Sequence, residues 1–214
     1  MAEPVIDNPL SSPAAFARLA RKRLRPGATD ELAGGPSDFD LNPGAAVACT
    51  SYRSAAVLVP VVARDGLTLL LTRRTEDLRS HAGQIAFPGG RVDDTDRDCS
   101  AAALREAREE IGLDPALVEP LGFLPTYRTG TGFAIAPLVG LVSPAFQVEM
   151  QTAEVADVFE VPLSFLMDPE NHQIHTKMWN GAQRRFYAMS WNERFIWGAT
   201  AGILKTMHER LFRP

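Results

Sequence analysis

Cysteine is scarce: Cys49 and Cys99 are the only two in 214 residues, too few for a disulfide framework or a metal knuckle in a chain this size. Long apolar runs are also missing. The longest, AAVLVPVV from Ala55, falls far short of the ~20 residues a membrane span needs. The start, MAEPVIDNPLSSPAAF, has no basic stretch followed by an apolar core, so no secretory signal is expected. Nor is there an excess of positive charge: 22 Lys and Arg against 26 Asp and Glu leave a net charge of −4. That balance speaks against a nucleic-acid partner. Together these absences predict a soluble protein of a reducing, cytoplasmic setting with no membrane partner. Any anionic substrate must then be held by local positive charge or by a metal.

What is present fits one globular core. Hydrophobic residues make up 45% and charged residues 22%, close to globular averages, and the length leaves little room for a second full domain. We expect residues 1–50 to form an N-terminal helix and linker, and residues 51–214 the main domain. From Pro13, PAAFARLARKRLR sets Phe16, Leu19, Ala20 and Leu24 at helical spacing among five basic residues. A membrane-surface or partner helix would look like this, but so would an amphipathic helix lying on its own domain, which base rates favour. Gly, Pro, Asp and Asn then crowd into PGATDELAGGPSDFDLNPG, which reads as a loop.

Apolar, partly β-branched runs flank RDG in AAVLVPVVA and LTLLLTRR, a β-hairpin pattern. IAFPGG reads as a third strand ending in a Pro-Gly-Gly turn. Further strands are expected in LVEPLGFLPTYRTGTGFAIAPLVGLV, with a turn at Thr129 to Gly132. A helix is expected from Pro162, then a short strand and a C-terminal helix carrying Ile203, Leu204 and Met207. This order predicts an α/β sandwich.

The stretch ALREAREEIGL, residues 103–113, poses the chemical question. Helical spacing is predicted over residues 99–111, stopped by Gly112. Glu106, Glu109 and Glu110 then share one face, where like charges repel by a few tenths of a kcal/mol per pair. Leu104, Ala107 and Ile111 form the apolar stripe on the other side. A solvated acidic face would explain the glutamates alone. Their surroundings point elsewhere: FPGG lies just upstream, where Gly89 and Gly90 let the backbone approach an ion or phosphate. Asp93, Asp94, Asp96 and Asp98 add more carboxylates than capping requires, and Arg105 adjoins them. Hard oxygen donors of this kind suit Mg²⁺ or Mn²⁺.

GGRVDDTDRDCSAAALREAREEIGL resembles the box of the Nudix hydrolases: Gly, five residues, Glu, seven residues, then Arg-Glu-aliphatic-x-Glu-Glu-x-Gly-aliphatic. REAREEIGL fits the second half at every position. In the first half Asp96 replaces the Glu five residues after Gly90, and the gap to Arg105 is one residue longer. Asp96 is expected to serve as the short-armed partner of Arg105. Upstream, LLTRRTEDLRSHAGQIAFPGG is similar to the motif of the coenzyme A pyrophosphatase branch at Leu70, Leu71, Thr72, Arg74, Arg79, Gly83, Phe87, Pro88, Gly89 and Gly90. Thr75 stands where that branch carries Ser or Ala.

The resemblance implies a Nudix-type α/β/α sandwich, a mixed sheet between helices. It also implies a divalent-metal-dependent hydrolase of coenzyme A or acyl-coenzyme A, with Mg²⁺ or Mn²⁺ held by Glu106, Glu109, Glu110 and the Gly89 carbonyl. Such an ion neutralises phosphate charge and acidifies a bound water. Arg105, Glu109 and Glu110 are then the catalytic set, joined by Glu154 as base or further ligand because it precedes a strand after the box. Glu149 and Glu160 are expected to be surface carboxylates. Arg74 and Arg79 are expected to bind substrate phosphate, which guanidinium groups grip bidentately. His81 reads as a hydrogen-bonding loop residue. RTGTG fits a phosphate cradle or a hairpin turn equally. Phe133, Trp179 and Trp197 read as packing residues before adenine platforms. Two alternatives stand beside this reading: a hydrolase of ADP-ribose or another nucleoside diphosphate derivative, and a non-catalytic ligand sensor. The three intact glutamates weigh against the sensor. The partner is a small-molecule diphosphate, and the resemblance leaves a homodimer open.

Overall fold

The structure, a computed structural model, describes residues 8–29, 35–43, 51–77, 81–179 and 181–213. Helix α1 (Pro13–Arg23) carries proline at its start, where the missing N–H costs nothing, and the Ser12 hydroxyl accepts from Ala15 N. Phe16 and Ala20 are fully buried, while Arg18, Arg21 and Lys22 face outward. The helix lies on its own domain.

Strands β1 (Arg53–Val62) and β2 (Thr68–Arg74) form the expected hairpin, but their register pairs are confined to Val61↔Leu69 and Val62↔Thr68. Beyond those pairs two short strands fill the gap. β3 (Ile85–Ala86) pairs with β2, and β4 (Gly89–Arg91) pairs with β1. The single strand ending in a Pro-Gly-Gly turn is thus corrected. The chain crosses from β2 to β1 through Phe87 and Pro88, where Pro88 has no N–H to give and its carbonyl accepts from Leu58 N at 2.9 Å, and Gly89 and Gly90 run on as strand.

Helix α2 (Cys99–Ile111) has the predicted bounds. The Asp98 side chain accepts from Ala101 N at 2.8 Å, and Gly112 ends the helix at φ 70° with its N–H on Arg108 O. Strands β5 (Val118–Phe123), β6 (Tyr127–Arg128) and β7 (Phe133–Val142) follow. β7 runs parallel to β1 from Arg53↔Phe133 to Val62↔Val142, and β5 and β6 run antiparallel to β7. β8 (Val155–Pro162) pairs antiparallel with β2. The short helix α3 (Leu163–Leu166) begins one residue later than expected, with Pro162 as its cap.

The C-terminal region departs most from expectation. Where one strand was read, three form a separate antiparallel sheet: β9 (Gln173–Trp179), β10 (Ala182–Trp191) and β11 (Arg194–Trp197). β9 buries none of its residues, so no apolar alternation marks it. The β10–β11 turn uses Asn192 at φ 51° followed by Glu193, without the Asn-Gly signature. Helix α4 (Ala199–Phe212) closes the chain.

The eight-stranded mixed sheet has apolar residues on both faces. Val59, Val61, Leu69 and Leu71 join Phe16, Met189, Ile196 and Leu204 in one core. Ala56, Leu58, Val62 and Leu70 join Ala102, Ala103, Ala107 and Ile111 of α2 in the other. This is the expected α/β/α arrangement, and the small alanines let α2 sit close against the sheet. Among the described residues no helix is long and apolar enough to cross a membrane.

Candidate active site

Where β1 and β2 part, β4 brings two glycines against the acidic face of α2. The Gly89 N–H donates to Glu110 Oε2 at 3.2 Å. A Cβ on Gly89 would lie 2.5 Å from the Ala56 carbonyl oxygen, and one on Gly90 would lie 2.5 Å from the Glu106 carboxylate. Both glycines are required by close approach.

The acidic face is therefore not simply wet. Glu110 is 5% exposed. Burial pushes its pKa up to about 7, with Glu106 and Glu154 adding to the rise and the Gly89 N–H and Arg74 opposing it. Glu106 is shifted upward too, again chiefly by burial, with Arg105 opposing. Glu109 stands further out, its side chain 59% exposed.

Arg105 organises the cluster. Its Nε and Nη2 donate to the two oxygens of Asp96 at 2.9 and 2.8 Å. Its Nη1 donates to Glu106 Oε1 at 2.9 Å and Glu109 Oε2 at 3.0 Å, and Nη2 also reaches the Arg91 carbonyl at 3.2 Å. This bidentate grip holds Asp96 down at about 2. Aspartate in place of the longer Glu thus reaches the arginine in full. The other aspartates are partly absorbed by local structure: Asp98 caps α2, and Asp93 N donates to Asp96.

Arg74, at the end of β2, brings Nη1 to 3.9 Å from Glu110 Oε1, and its buried Nε has no hydrogen-bond partner. Glu154 lies just before β8 and is exposed; its carbonyl accepts from Thr75 N at 3.0 Å, and its charge bears on both Glu106 and Glu110. Thus Arg74, Gly89, Arg105, Glu106, Glu109, Glu110 and Glu154 come together at one end of the sheet. Arg79 lies outside the described residues. Glu160 is held by Arg64 at 2.7 Å, and Glu149 backs the end of α2, its N–H on Ile111 O.

The remaining singled-out residues find other partners. His81 Nδ1 lies 2.9 Å from Gln84 Oε1. RTGTG is a hairpin turn between β6 and β7 in which the Gly130 N–H is spent on Asp38 Oδ2 at 2.7 Å, so that donor is not turned to a phosphate. Phe133 carries the Arg53 guanidinium 4.0 Å above its ring, Trp197 packs on Phe186 at 5.4 Å, and Trp179 is exposed. Sequence reading missed Asp38. It lies in the expected loop, half-buried, and its Oδ1 accepts from Tyr127 Oη at 2.9 Å. Burial raises its pKa. Its partner lies 89 positions away, so no local spacing betrays it.

As they stand, no three His, Cys, Asp or Glu side chains among the described residues are gathered to hold an ion. Arg105 engages Glu106 and Glu109, and Gly89 engages Glu110. The donor chemistry nonetheless fits a hard divalent cation. Carboxylates crowd beside a glycine strand with no room for a Cβ, and burial works against the charge of two of them, Glu106 and Glu110.

The family model described as NUDIX domain matches residues 52–187. The uncharacterized Nudix hydrolase NudL of Cronobacter sakazakii is 43% identical over 170 residues, covering 78% of this chain and 87% of that protein. NudL of Escherichia coli strain K12 is 44% identical over 158 residues, covering 73% and 82%. A Caenorhabditis elegans Ap4A hydrolase in a binary complex overlays with a TM-score of 0.45 at 20% identity, covering 51% of this chain and 80% of that one. That overlay is too loose to bear on function.

Proposed function

This chain belongs to the Nudix family and hydrolyses a pyrophosphate bond in a nucleoside diphosphate derivative; we propose that the substrate is coenzyme A or an acyl-coenzyme A. The products are then 3′,5′-ADP and 4′-phosphopantetheine or its acyl form. The observation that carries this reading is Arg74. It occupies the arginine position of the coenzyme A pyrophosphatase motif, and its guanidinium stands 3.9 Å from Glu110 with Nε unspent.

Glu106, Glu109, Glu110 and the Gly89 carbonyl would hold Mg²⁺ or Mn²⁺, which supplies charge neutralisation at the diphosphate and a more acidic water. Asp96 fixes Arg105, and Arg105 in turn orients Glu106 and Glu109. Arg74 grips the diphosphate, and Arg79 reads the additional phosphate of coenzyme A. Glu154, exposed at the rim, takes a proton from the attacking water as general base. We assign residues 1–50 to an N-terminal extension of the hydrolase domain of residues 51–214; its helix α1 braces that domain by setting Phe16 and Ala20 into the shared core.

Product analysis with coenzyme A and a magnesium salt in heavy-oxygen water tests the reading. The expected result is 3′,5′-ADP and 4′-phosphopantetheine with the label on one phosphate. Turnover of ADP-ribose without turnover of coenzyme A would reject the substrate and retain the chemistry.

A further inference from the structure

Among the described residues β9 is the least buried strand. Ile174, Met178 and Trp179 are 46, 60 and 57% exposed, and no residue of the strand is buried. It forms one edge of the second sheet. Such an edge presents unpaired backbone groups, and proteins ordinarily protect one with charge, proline or a bulge. QIHTKMW has a single charged residue, Lys177, and no proline.

The hydrogen-bonding phase of this edge follows from the far side of the hairpin. Arg185 N donates to Asn42 Oδ1 at 2.9 Å, and its carbonyl accepts from Asn42 Nδ2 at 2.8 Å. Both groups therefore point away from β9. The carbonyl of Tyr187 likewise points away, accepting from Gly198 N at 3.1 Å. Arg185 and Tyr187 face Thr176 and Ile174 in the register, so these are the pairs without mutual hydrogen bonds. In such a pair the N–H and C=O of the partner also turn outward. Thr176, Ile174 and, by alternation, Met178 thus present their backbone groups at an edge left open among the described residues.

We propose that a second copy of this chain pairs with β9 along this edge, antiparallel and centred on Thr176. The register is self-complementary. Thr176 meets Thr176 of the second copy on the two-fold axis and exchanges both backbone bonds with it. Ile174 meets Met178 of the other chain and does the same in each direction. All three outward pairs fall in phase, and Ile174 comes side by side with Met178 on one face. On the other face Trp179 meets Gln173, and Lys177 meets His175, so no carboxylate or lysine pair opposes its like. A register shifted by one residue would place inward-bonded groups against the edge and lose the ladder. The two three-stranded sheets thereby become one continuous six-stranded sheet.

Sedimentation equilibrium and amide hydrogen exchange on the full chain test this. At micromolar concentration the wild type is expected at twice the 23.3 kDa chain mass, with slow exchange at Ile174, Thr176 and Met178. Thr176→Pro removes only an outward N–H, which an edge strand tolerates. It should return the mass to one chain, speed exchange at Ile174 and Met178, and leave turnover per chain unchanged. The double variant Ile174→Lys with Met178→Lys keeps every bond to β10 and should do the same should the proline variant fail to fold. A wild-type monomer with fast exchange at these three amides overturns the proposal. So does a dimer that survives both variants, since its interface then lies elsewhere.

Discussion

Glu110 carries two opposed demands in one side chain. Its burial raises the pKa to about 7, from an ordinary 4.5, so between those values the folded chain keeps a proton that the unfolded chain has released. Stability of the metal-free protein should accordingly be full below about pH 4.5 and fall as pH rises towards 7. Urea midpoints at pH 5 and pH 8 would show it, with the larger rescue by Mg²⁺ at pH 8. Glu110→Gln should flatten that pH dependence and leave the fold intact. Turnover should drop by at least about a hundredfold, the scale on which a lost charge-stabilising group acts. Asp96 works in the opposite window. Held at about 2 by Arg105, it stabilises the fold above about pH 4, an effect lost as pH falls through 2. Asp96→Asn should cost about 1–3 kcal/mol in denaturant unfolding and slow turnover as well, because Arg105 no longer fixes Glu106 and Glu109.

At the scale of elements, α2 and β4 act as one unit. Two glycines beside this helix separate its chemistry from its stability. Gly90→Ala would drive a Cβ into the Glu106 carboxylate, so turnover should fall by about ten- to a hundredfold with little change in melting temperature. Gly112→Ala forces an L side chain into the left-handed region at φ 70°, at a cost of about 1–2 kcal/mol in stability. Because Gly112 touches no carboxylate of the cluster, turnover at low temperature should be kept. α2 was legible because stripe and stop signal agree in ALREAREEIGL. β9 was not legible, because an exposed strand leaves no burial pattern. The split into β3 and β4 was hidden for another reason: where the chain crosses from β2 to β1 depends on which neighbours the fold brings to it.

Across the whole molecule, residues 35–43 join parts that the sequence keeps far apart. Asp38 binds the β6–β7 turn through Tyr127 and Gly130, and Asn42 binds β10 through Arg185. Asp38→Ala would leave the buried Tyr127 hydroxyl without its acceptor, costing about 1–3 kcal/mol, while the exposed Gly130 N–H would turn to water. Chemical denaturation of that variant, with turnover measured on the folded fraction, separates this bracing role from any role in hydrolysis.

The sequence by itself determined the α/β class, the bounds of α2 and the residues of the acidic face, because helical period and motif spacing are local properties of a chain. Tertiary structure alone decided that Glu110 is dry while Glu109 is wet, that Arg105 hydrogen-bonds three carboxylates, and that β9 lies at an edge. Solvation and pairing depend on what other segments bring to a position, and that is a property of the folded whole.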